Sequence, residues 1–279
     1  GRSRHWLSTI KARPWGTAGG RAEAEQFAAS NLFSFLLWLR LARRRTLADG
    51  EALAGWAEED PDGFGAAFWD FAQLIGERGR AISLAENVLL HRGEREAVVG
   101  RLGGALSRER LREEAFAFAA GLRALGVRPG DAVGGWTPDS PEAVAAFLGA
   151  NAIGAIWSCK PDAAQFPLEK QTLARFAGVH RGAALSFMRQ PLAEPLAILE
   201  DGAVERQTAF PGHLHDILLR AEVRPDELVK PEPPNGWLWG VAALATGARL
   251  GLGWGAAQEA TLPGPLRAET PRERAPRRR

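Results

Sequence analysis

The stretch from residue 107 to residue 158 restricts the fold most strongly, because helix and strand signals alternate along it. A helical repeat of apolar residues begins at Ser107 and stops at Gly126, a common C-terminal cap. An extended stretch, Ala132 to Trp136, follows. Ser140-Pro141-Glu142 then marks a second helix start, with a capping hydroxyl, a proline at the first helical position and a carboxylate near the positive helix end. Gly154 to Trp157 is short and apolar enough for a buried strand. Helix, strand, helix and strand in this order predict an α/β fold with a partial parallel sheet flanked by helices.

The sequence ahead of this unit predicts an α-helical N-terminal extension. Ser30 or Asn31 can cap a helix whose apolar run, Asn31 to Leu39, is about half as long as a membrane span. Four arginines follow the run, so a helix on a membrane surface is the alternative to a helix that faces the core. A second helix is predicted from Gly63 to Ile75, with a stripe of aromatic rings that we expect in the core: Phe64, Phe68 and Phe71.

Charge and cysteine content exclude several classes of protein. The net charge is +2, and the last thirteen residues hold six Arg and two Glu, which leaves −2 for the remainder. A nucleic-acid-binding domain would instead spread Lys and Arg over a folded face. One cysteine, Cys159, excludes an internal disulfide framework and a cysteine-based zinc site. No secretory signal and no run long enough for a membrane span is visible, so we predict a cytoplasmic protein.

Composition divides the chain into four predicted parts. Residues 1–29 form a loose leader, 30–100 the helical extension, 101–255 an eroded α/β domain, and 256–279 a disordered basic tail. After Ser158, prolines interrupt the pattern, and the sequence leaves open whether residues 160–279 fold. Within that part, a turn or two of helix is predicted at His213 to Arg220 and a strand at Arg249 to Trp254.

Two histidines beside an acid raise the question of a metal site. His213 and His215 are two residues apart, with Asp216 next to them. Side chains two apart on a helix point in different directions, and no third ligand follows at a suitable spacing. We therefore predict solvent-facing histidines and no metal site.

Several stretches together resemble the acetoacetate–CoA ligases of the adenylate-forming, or AMP-binding, superfamily. They are Ala85-Glu86-Asn87, the turn Leu125 to Asp131, the helix and strand from Pro141 to Ser158, and Asn31-Leu32-Phe33. A fainter likeness returns in the Trp-rich stretch Asn235 to Trp239. The resemblance implies ATP-dependent coupling of acetoacetate, a small acid, to coenzyme A through an acyl-adenylate, with magnesium.

The resemblance also implies where the nucleotide part of coenzyme A would lie. In related acetate ligases the loop after the corresponding strand approaches coenzyme A, which gives Trp157, Ser158 and Cys159 by position. The family has one more Ser here and does not have Lys160.

The family's phosphate-binding loop is unreadable in this sequence. The matching positions, Glu200 to Pro211, hold three acids, one Gly, one Thr and no Lys, and negative charge repels a polyphosphate. The hinge and the C-terminal catalytic lysine would lie beyond Arg279, so we expect a truncated, degenerate relative with no catalytic residue of its own. Three hypotheses stay open: a ligase completed by another chain, a non-catalytic remnant that at most binds a partner, and a ligase for another acid such as acetate or propionate. A half-built sheet would leave an uncovered strand edge, which predicts aggregation or a partner chain.

Overall fold

A computed structural model describes residues 29–100, 104–135, 140–160, 164–168, 175–176, 178–199, 201–231 and 236–252. The predicted tail and nearly all of the predicted leader lie outside these ranges. The principal helices, in chain order, are α1 (Asn31–Ala42), α2 (Gly50–Glu59), α3 (Pro61–Phe71), α4 (Leu84–Val88), α5 (Arg108–Ala124), α6 (Pro141–Ala152), α7 (Ala209–His215) and α8 (Trp237–Ala243). A π-helical turn, Asp216–Arg220, continues α7, and a 3-10 turn, Leu244–Thr246, continues α8.

In the described ranges the strands are short and form three sheets. In chain order they are β1 (Gly76–Glu77), β2 (Ala81–Ile82), β3 (Glu96–Val99), β4 (Ala105–Ser107), β5 (Ala132–Gly135), β6 (Ile156–Ser158), β7 (Phe166–Leu168), β8 (Gln190–Pro191), β9 (Pro195–Ile198), β10 (Val204–Arg206), β11 (Leu228–Val229) and β12 (Arg249–Gly251).

The largest sheet has five strands in the order β10-β9-β6-β5-β7. Four adjacent strands of this sheet, β9, β6, β5 and β7, are parallel to one another. Val133 of β5 lies opposite Trp157 of β6 on one side and opposite Phe166 of β7 on the other. Strand β10 returns antiparallel to β9. The predicted α/β class with a partial parallel sheet is confirmed.

Local capping explains why α5 and α6 begin where the sequence predicts. The Ser107 hydroxyl accepts a hydrogen bond from the amide of Arg110 at 3.1 Å, and the Ser140 hydroxyl accepts one from Ala143 at 3.2 Å. The two helices pack closely at Gly149, where a Cβ would stand 2.6 Å from the carbonyl oxygen of Ala115. Helix α6 is buried all round rather than on one face, because α4, α5 and the sheets surround it.

A four-stranded sheet, β11-β12-β3-β4, joins distant parts of the chain. Strand β12 is parallel to both β11 and β3, while β3 and β4 form an antiparallel hairpin that the sequence did not predict. The pairing places residues 250–251 against residues 98–99, so a segment beyond residue 160 completes a sheet begun before residue 100. The predicted boundary between residues 100 and 101 falls inside the β3–β4 hairpin.

The N-terminal helices form the predicted extension and bury an aromatic cluster. Ser30 caps α1 through a 3.0 Å hydrogen bond from the Phe33 amide, and Phe35 packs edge-on against Phe64 and Phe68 at 6.1 Å. The prediction of one helix to Ile75 was wrong at its end. Helix α3 stops at Phe71, and the Ile75 amide instead donates to the side chain of Asn87 at 2.8 Å. In the described part of the chain, no helix is both long and apolar enough to cross a bilayer.

Candidate functional site

The carboxyl ends of β5, β6 and β9 meet at one edge of the five-stranded sheet. Strand β5 has β6 on one side and β7 on the other, so the chain reverses its direction of travel across the sheet at β5. In open α/β sheets, ligands bind outside the carboxyl ends of the strands at such a reversal. This edge is therefore the first place in the fold to examine for a binding site.

The loop that follows β6 is held in shape by its own hydrogen bonds. The Ser158 hydroxyl donates to the carbonyl oxygen of Lys160 at 2.7 Å and accepts from the Lys160 amide at 3.2 Å. The Cys159 amide donates to the carbonyl oxygen of Ile198 at 2.8 Å, which ties the loop to the end of β9. The loop is thus a fixed feature of the sheet edge.

Only part of the predicted coenzyme A loop is accessible at that edge. Trp157 is 2% exposed, and its ring packs edge-on against Phe147 at 6.2 Å. Ser158 is fully buried. Cys159 and Lys160 are half-buried, so within residues 157–160 they are the side chains that a ligand can reach. Lys160 was noted in the sequence as a departure from the family and was not among the predicted site residues; its place directly after a buried parallel strand is the signal that marks it.

Lys160 extends toward the hairpin that joins β9 to β10. Its Nζ atom lies 3.5 Å from the point where a Cβ on Gly202 would stand, and Gly202 has a φ of +85°. A side chain at residue 202 would be strained by this backbone conformation and would lie against the ammonium group. The glycine therefore suits the backbone of the turn, and the lysine lies directly beside it.

The segment predicted to match the phosphate loop forms this hairpin and the start of α7, and several of its amides are already paired. The Gly202 amide donates to the Leu199 carbonyl at 2.9 Å, and the Ala203 amide donates to the Asp201 carboxylate at 2.8 Å. The amides of Gln207 and Thr208 likewise donate to main-chain carbonyls, at 2.9 and 3.0 Å. A phosphate cradle needs several amides that point at the ligand. The described residues of this segment, 201–211, do not fit an ATP triphosphate.

His215 lies in the core, and the prediction that it faces solvent was wrong. Its ring is 8% exposed and meets the rings of Phe64 and Phe68 edge-on at 5.3 and 5.2 Å. Burial lowers the pKa of His215 from its ordinary value of 6.5 to about 4, although the nearby Asp216 carboxylate acts in the opposite direction. The ring joins α7 to the aromatic cluster of the N-terminal helices, a contact that two-residue spacing could not indicate.

His213 is half-buried on the same helix. Across the ranges that the structure describes, no group of three His, Cys, Asp or Glu side chains is placed to hold a metal ion.

The Ala85-Glu86-Asn87 segment builds the scaffold. The Asn87 side chain accepts from the amide of Ile75 and donates to its carbonyl oxygen at 2.8 and 2.9 Å, which clamps the chain before β1. The Ala85 amide donates to the buried side-chain oxygen of Asn151 at 2.8 Å. Glu86 accepts two hydrogen bonds from the guanidinium of Arg189, at 2.7 and 2.9 Å. These structural contacts explain why Ala85, Glu86 and Asn87 are present, and no ligand is needed to explain them.

The match with known proteins falls on the parts just described. Residues 85–165, which include α5, β5, α6, β6 and the Ser158–Lys160 loop, match the family described as AMP-binding enzyme. In this region the chain is therefore similar to part of the AMP-binding enzymes.

The relatives that this region resembles are acetoacetyl-CoA synthetases. The chain is 35% identical to that of Macaca fascicularis over 138 residues, which is 40% of this chain and 20% of the relative. It is 29% identical to that of Rhizobium meliloti strain 1021 over 156 residues, 48% of this chain and 24% of the relative. The resemblance to acetoacetate–CoA ligases is thus confirmed.

Solved structures show the same fold. The acetoacetyl-CoA synthetase of Streptomyces lividans aligns with a TM-score of 0.70 at 20% identity, covering 82% of this chain and 50% of that one. An acyl-CoA synthetase of Brucella canis aligns with a TM-score of 0.54 at 19% identity, covering 65% and 44%. The matched region spans half or less of each of these relatives.

Proposed function

We propose that this chain is part of an ATP-dependent acid–CoA ligase whose acyl substrate is acetoacetate. The observation that carries the proposal is the Ser158–Lys160 loop at the carboxyl end of β6, next to the strand β5 at which the parallel sheet reverses, inside the segment that matches AMP-binding enzymes. The relatives favour acetoacetate over acetate or propionate, since the curated matches are acetoacetyl-CoA synthetases. A cytoplasmic location agrees with such chemistry.

The loop from Trp157 to Lys160 is the coenzyme A contact in this proposal. Coenzyme A, when bound, supplies the thiol that accepts the acyl group. Trp157 anchors the loop in the core, the Ser158 hydroxyl holds its backbone, and Cys159 and Lys160 face the ligand. The Lys160 ammonium attracts a phosphate of the nucleotide through a charge-assisted contact.

The step that uses ATP and magnesium is assigned to residues beyond those described. The paired amides of the β9–β10 hairpin and the acids around it leave the triphosphate without a cradle. We therefore propose that this chain alone does not form acyl-adenylate and that a partner carrying the remaining motifs completes the enzyme. The helical extension, residues 30–100, supports the α/β part, residues 101–255, through the shared β3–β12 pairing.

The alternative is a non-catalytic remnant of the same ancestry that binds a partner at most. The internally paired hairpin also favours this hypothesis. The two differ on coenzyme A: an incomplete ligase retains the binding loop, whereas a remnant has no reason to retain it.

ATP–pyrophosphate exchange by the purified chain, with acetoacetate and magnesium, tests the assignment of the ATP step. We expect no exchange above a control without acid. Exchange that depends on acetoacetate would mean that a phosphate site exists outside segment 201–211, and the ligase would then be complete.

Calorimetric titration with coenzyme A tests the loop. The matched variants are Lys160→Ala and Arg181→Ala, each of which removes one positive charge from a loop or turn. We expect Lys160→Ala to weaken binding about fivefold to tenfold, the usual size of one charge-assisted contact, and Arg181→Ala to leave it unchanged. Equal affinity in all three proteins, or no binding by any of them, would contradict the coenzyme A assignment.

A further inference from the structure

Helix α1 has apolar side chains on two opposite sides. One side is buried against α3 and the π-helical turn, and its residues are Leu32, Phe35, Leu36 and Leu39. On the opposite side, Leu37 is 42% exposed and Leu41 is 73% exposed. Residues four apart lie above one another on a helix, so the two leucines form one apolar strip. Core packing explains the buried side and gives no reason for the strip.

Two arginines flank this strip. Arg40 is exposed and lies on the same side of α1, three residues from Leu37, and exposed Arg44 follows the end of the helix. Within the described ranges, neither guanidinium has an ion-pair partner. We call Leu37, Arg40, Leu41 and Arg44 together the outer face of α1.

The neighbouring arginines are used by the fold. Arg43 pairs with Asp70, which also accepts from Arg78 at 3.1 Å. The Arg45 guanidinium stacks on the Trp56 ring at 4.3 Å from its centroid. Arg43 and Arg45 therefore make contacts within the fold, whereas the two arginines of the outer face remain in solvent.

We propose that the outer face of α1 docks on an anionic membrane surface. Guanidinium groups bind lipid phosphates, and leucines beside them enter the boundary between headgroups and acyl chains, which is how interfacial helices bind. Charge complementarity favours this occupant, since the face presents two cations and no acid. The proposal concerns a peripheral contact and is independent of the ligase proposal.

A contact of this size is weak and sensitive to salt. Each arginine near an anionic surface contributes about a fivefold increase in partitioning at low salt, and the effect fades beyond about 8 Å at ~0.15 M ionic strength. Two leucines add a comparable factor through the apolar area that they bury. Binding should be reversible and should fall as salt is raised.

Co-sedimentation of the whole chain with lipid vesicles tests the proposal. The vesicles are phosphatidylcholine alone or phosphatidylcholine mixed with phosphatidylglycerol. The variants are the pair Leu37→Ser and Leu41→Ser, and the pair Arg40→Glu and Arg44→Glu. The matched control is the pair Leu125→Ser and Val179→Ser, whose side chains are 46% and 68% exposed elsewhere on the molecule.

We expect binding to the anionic vesicles only, with a partition coefficient reduced about tenfold or more by either pair of α1 variants and unchanged by the control pair. Absence of binding by the unmodified chain would overturn the proposal. Binding that persists in the α1 leucine variants would also overturn it, because attraction would then come from general positive charge. If light scattering shows a dimer that the α1 leucine variants dissociate, and vesicles are not bound, the outer face is a contact between copies and the proposal fails.

Discussion

The unit from α5 to β6 and the segment from β9 to the π-helical turn build the same sheet, but local signals determine only the first. Helices α5 and α6 each begin at a serine whose hydroxyl caps the first turn. Helix α7 follows Thr208, which makes no capping hydrogen bond with the described residues. What holds the second segment is distant: Phe210 and Ile217 are fully buried, and Trp239 donates to the Asp216 carboxylate at 2.8 Å.

The comparison teaches that a segment can be held in place either by regular helix caps or by distant contacts of a few buried side chains. The π-helical turn illustrates the second way. Its geometry is poor in isolation. Here the indole of Trp239 and the guanidinium of Arg220 both bind Asp216 at its start, and Ile217 is fully buried. The sequence signal of the segment is therefore weak although its apolar residues Phe210 and Ile217 are fully buried.

Two phenylalanines give the largest test of this comparison. Phe147 in α6 and Phe210 in α7 are both fully buried, so replacement of either by Ala should cost about 3–5 kcal/mol of unfolding free energy. Denaturant unfolding followed by tryptophan fluorescence and by circular dichroism should show one shared transition in both variants. An early, separate transition in Phe210→Ala, with α5 to β6 still folded, would break the comparison by showing that the second segment is an independent unit.

The buried histidine of the second segment should make stability depend on pH. The folded pKa of His215 is about 4 and the unfolded value is about 6.5, so between these values the unfolded chain binds the extra proton. The stability is fully present above pH 6.5 and is lost as the pH falls toward 4, by no more than about 3 kcal/mol.

The measurement is the unfolding free energy of the unmodified chain and of His215→Leu as the pH is lowered through that window. His215→Leu should reduce the dependence of the unfolding free energy on pH. The control His180→Asn, at a half-buried histidine, should leave that dependence unchanged. An unchanged slope in His215→Leu would mean that other groups cause the loss of stability.

Close packing of the first unit is tested at Gly149. A Cβ there would stand 2.6 Å from the Ala115 carbonyl oxygen and 2.9 Å from the Phe118 Cβ, whereas nothing lies within 4 Å of the same point at Gly212 in α7. Gly149→Val should therefore cost about 1–3 kcal/mol through overpacking, and Gly212→Val should cost little. Thermal unfolding of the two variants measures the difference, and equal losses would show that the contact between α5 and α6 adapts.

The smallest expected effect concerns helix caps. Ser140→Ala removes the hydrogen bond to the Ala143 amide and should cost about 1 kcal/mol. Thr208→Ala removes no cap and should change stability by less than about 0.5 kcal/mol. Chemical denaturation measures both values, provided that the dependence of the unfolding free energy on denaturant concentration is the same in both variants. A cost at Thr208 as large as that at Ser140 would mean that α7 has a local start signal that the structure does not display.

The sequence anticipated part of the site and could not anticipate its geometry. The strand that ends at Ser158 was predicted from a short apolar run, which placed Trp157, Ser158 and Cys159 at its end. That the Trp157 ring is buried and that Lys160 reaches the hairpin follow from packing against α6 and β9, which lie at other positions in the chain. Likewise, the environment of His215 is supplied by rings about 150 residues earlier, and no local pattern encodes such a contact.

By itself, the sequence determined the α/β class, the starts of α1, α5 and α6, and the resemblance to acetoacetate–CoA ligases. Caps, apolar periods and segment order act over a few residues, so they can be read without knowing the fold. Tertiary structure alone decided the β3–β4 hairpin, because β3 needs β12 as its second neighbour about 150 residues later. Tertiary structure also decided the order of the strands within each sheet, the residue at which α3 ends, and the hydrogen-bond partners of the amides in the β9–β10 hairpin. The physical reason is that short strands and buried polar groups are stabilised by partners distant in the chain, and those partners exist only once the chain has folded.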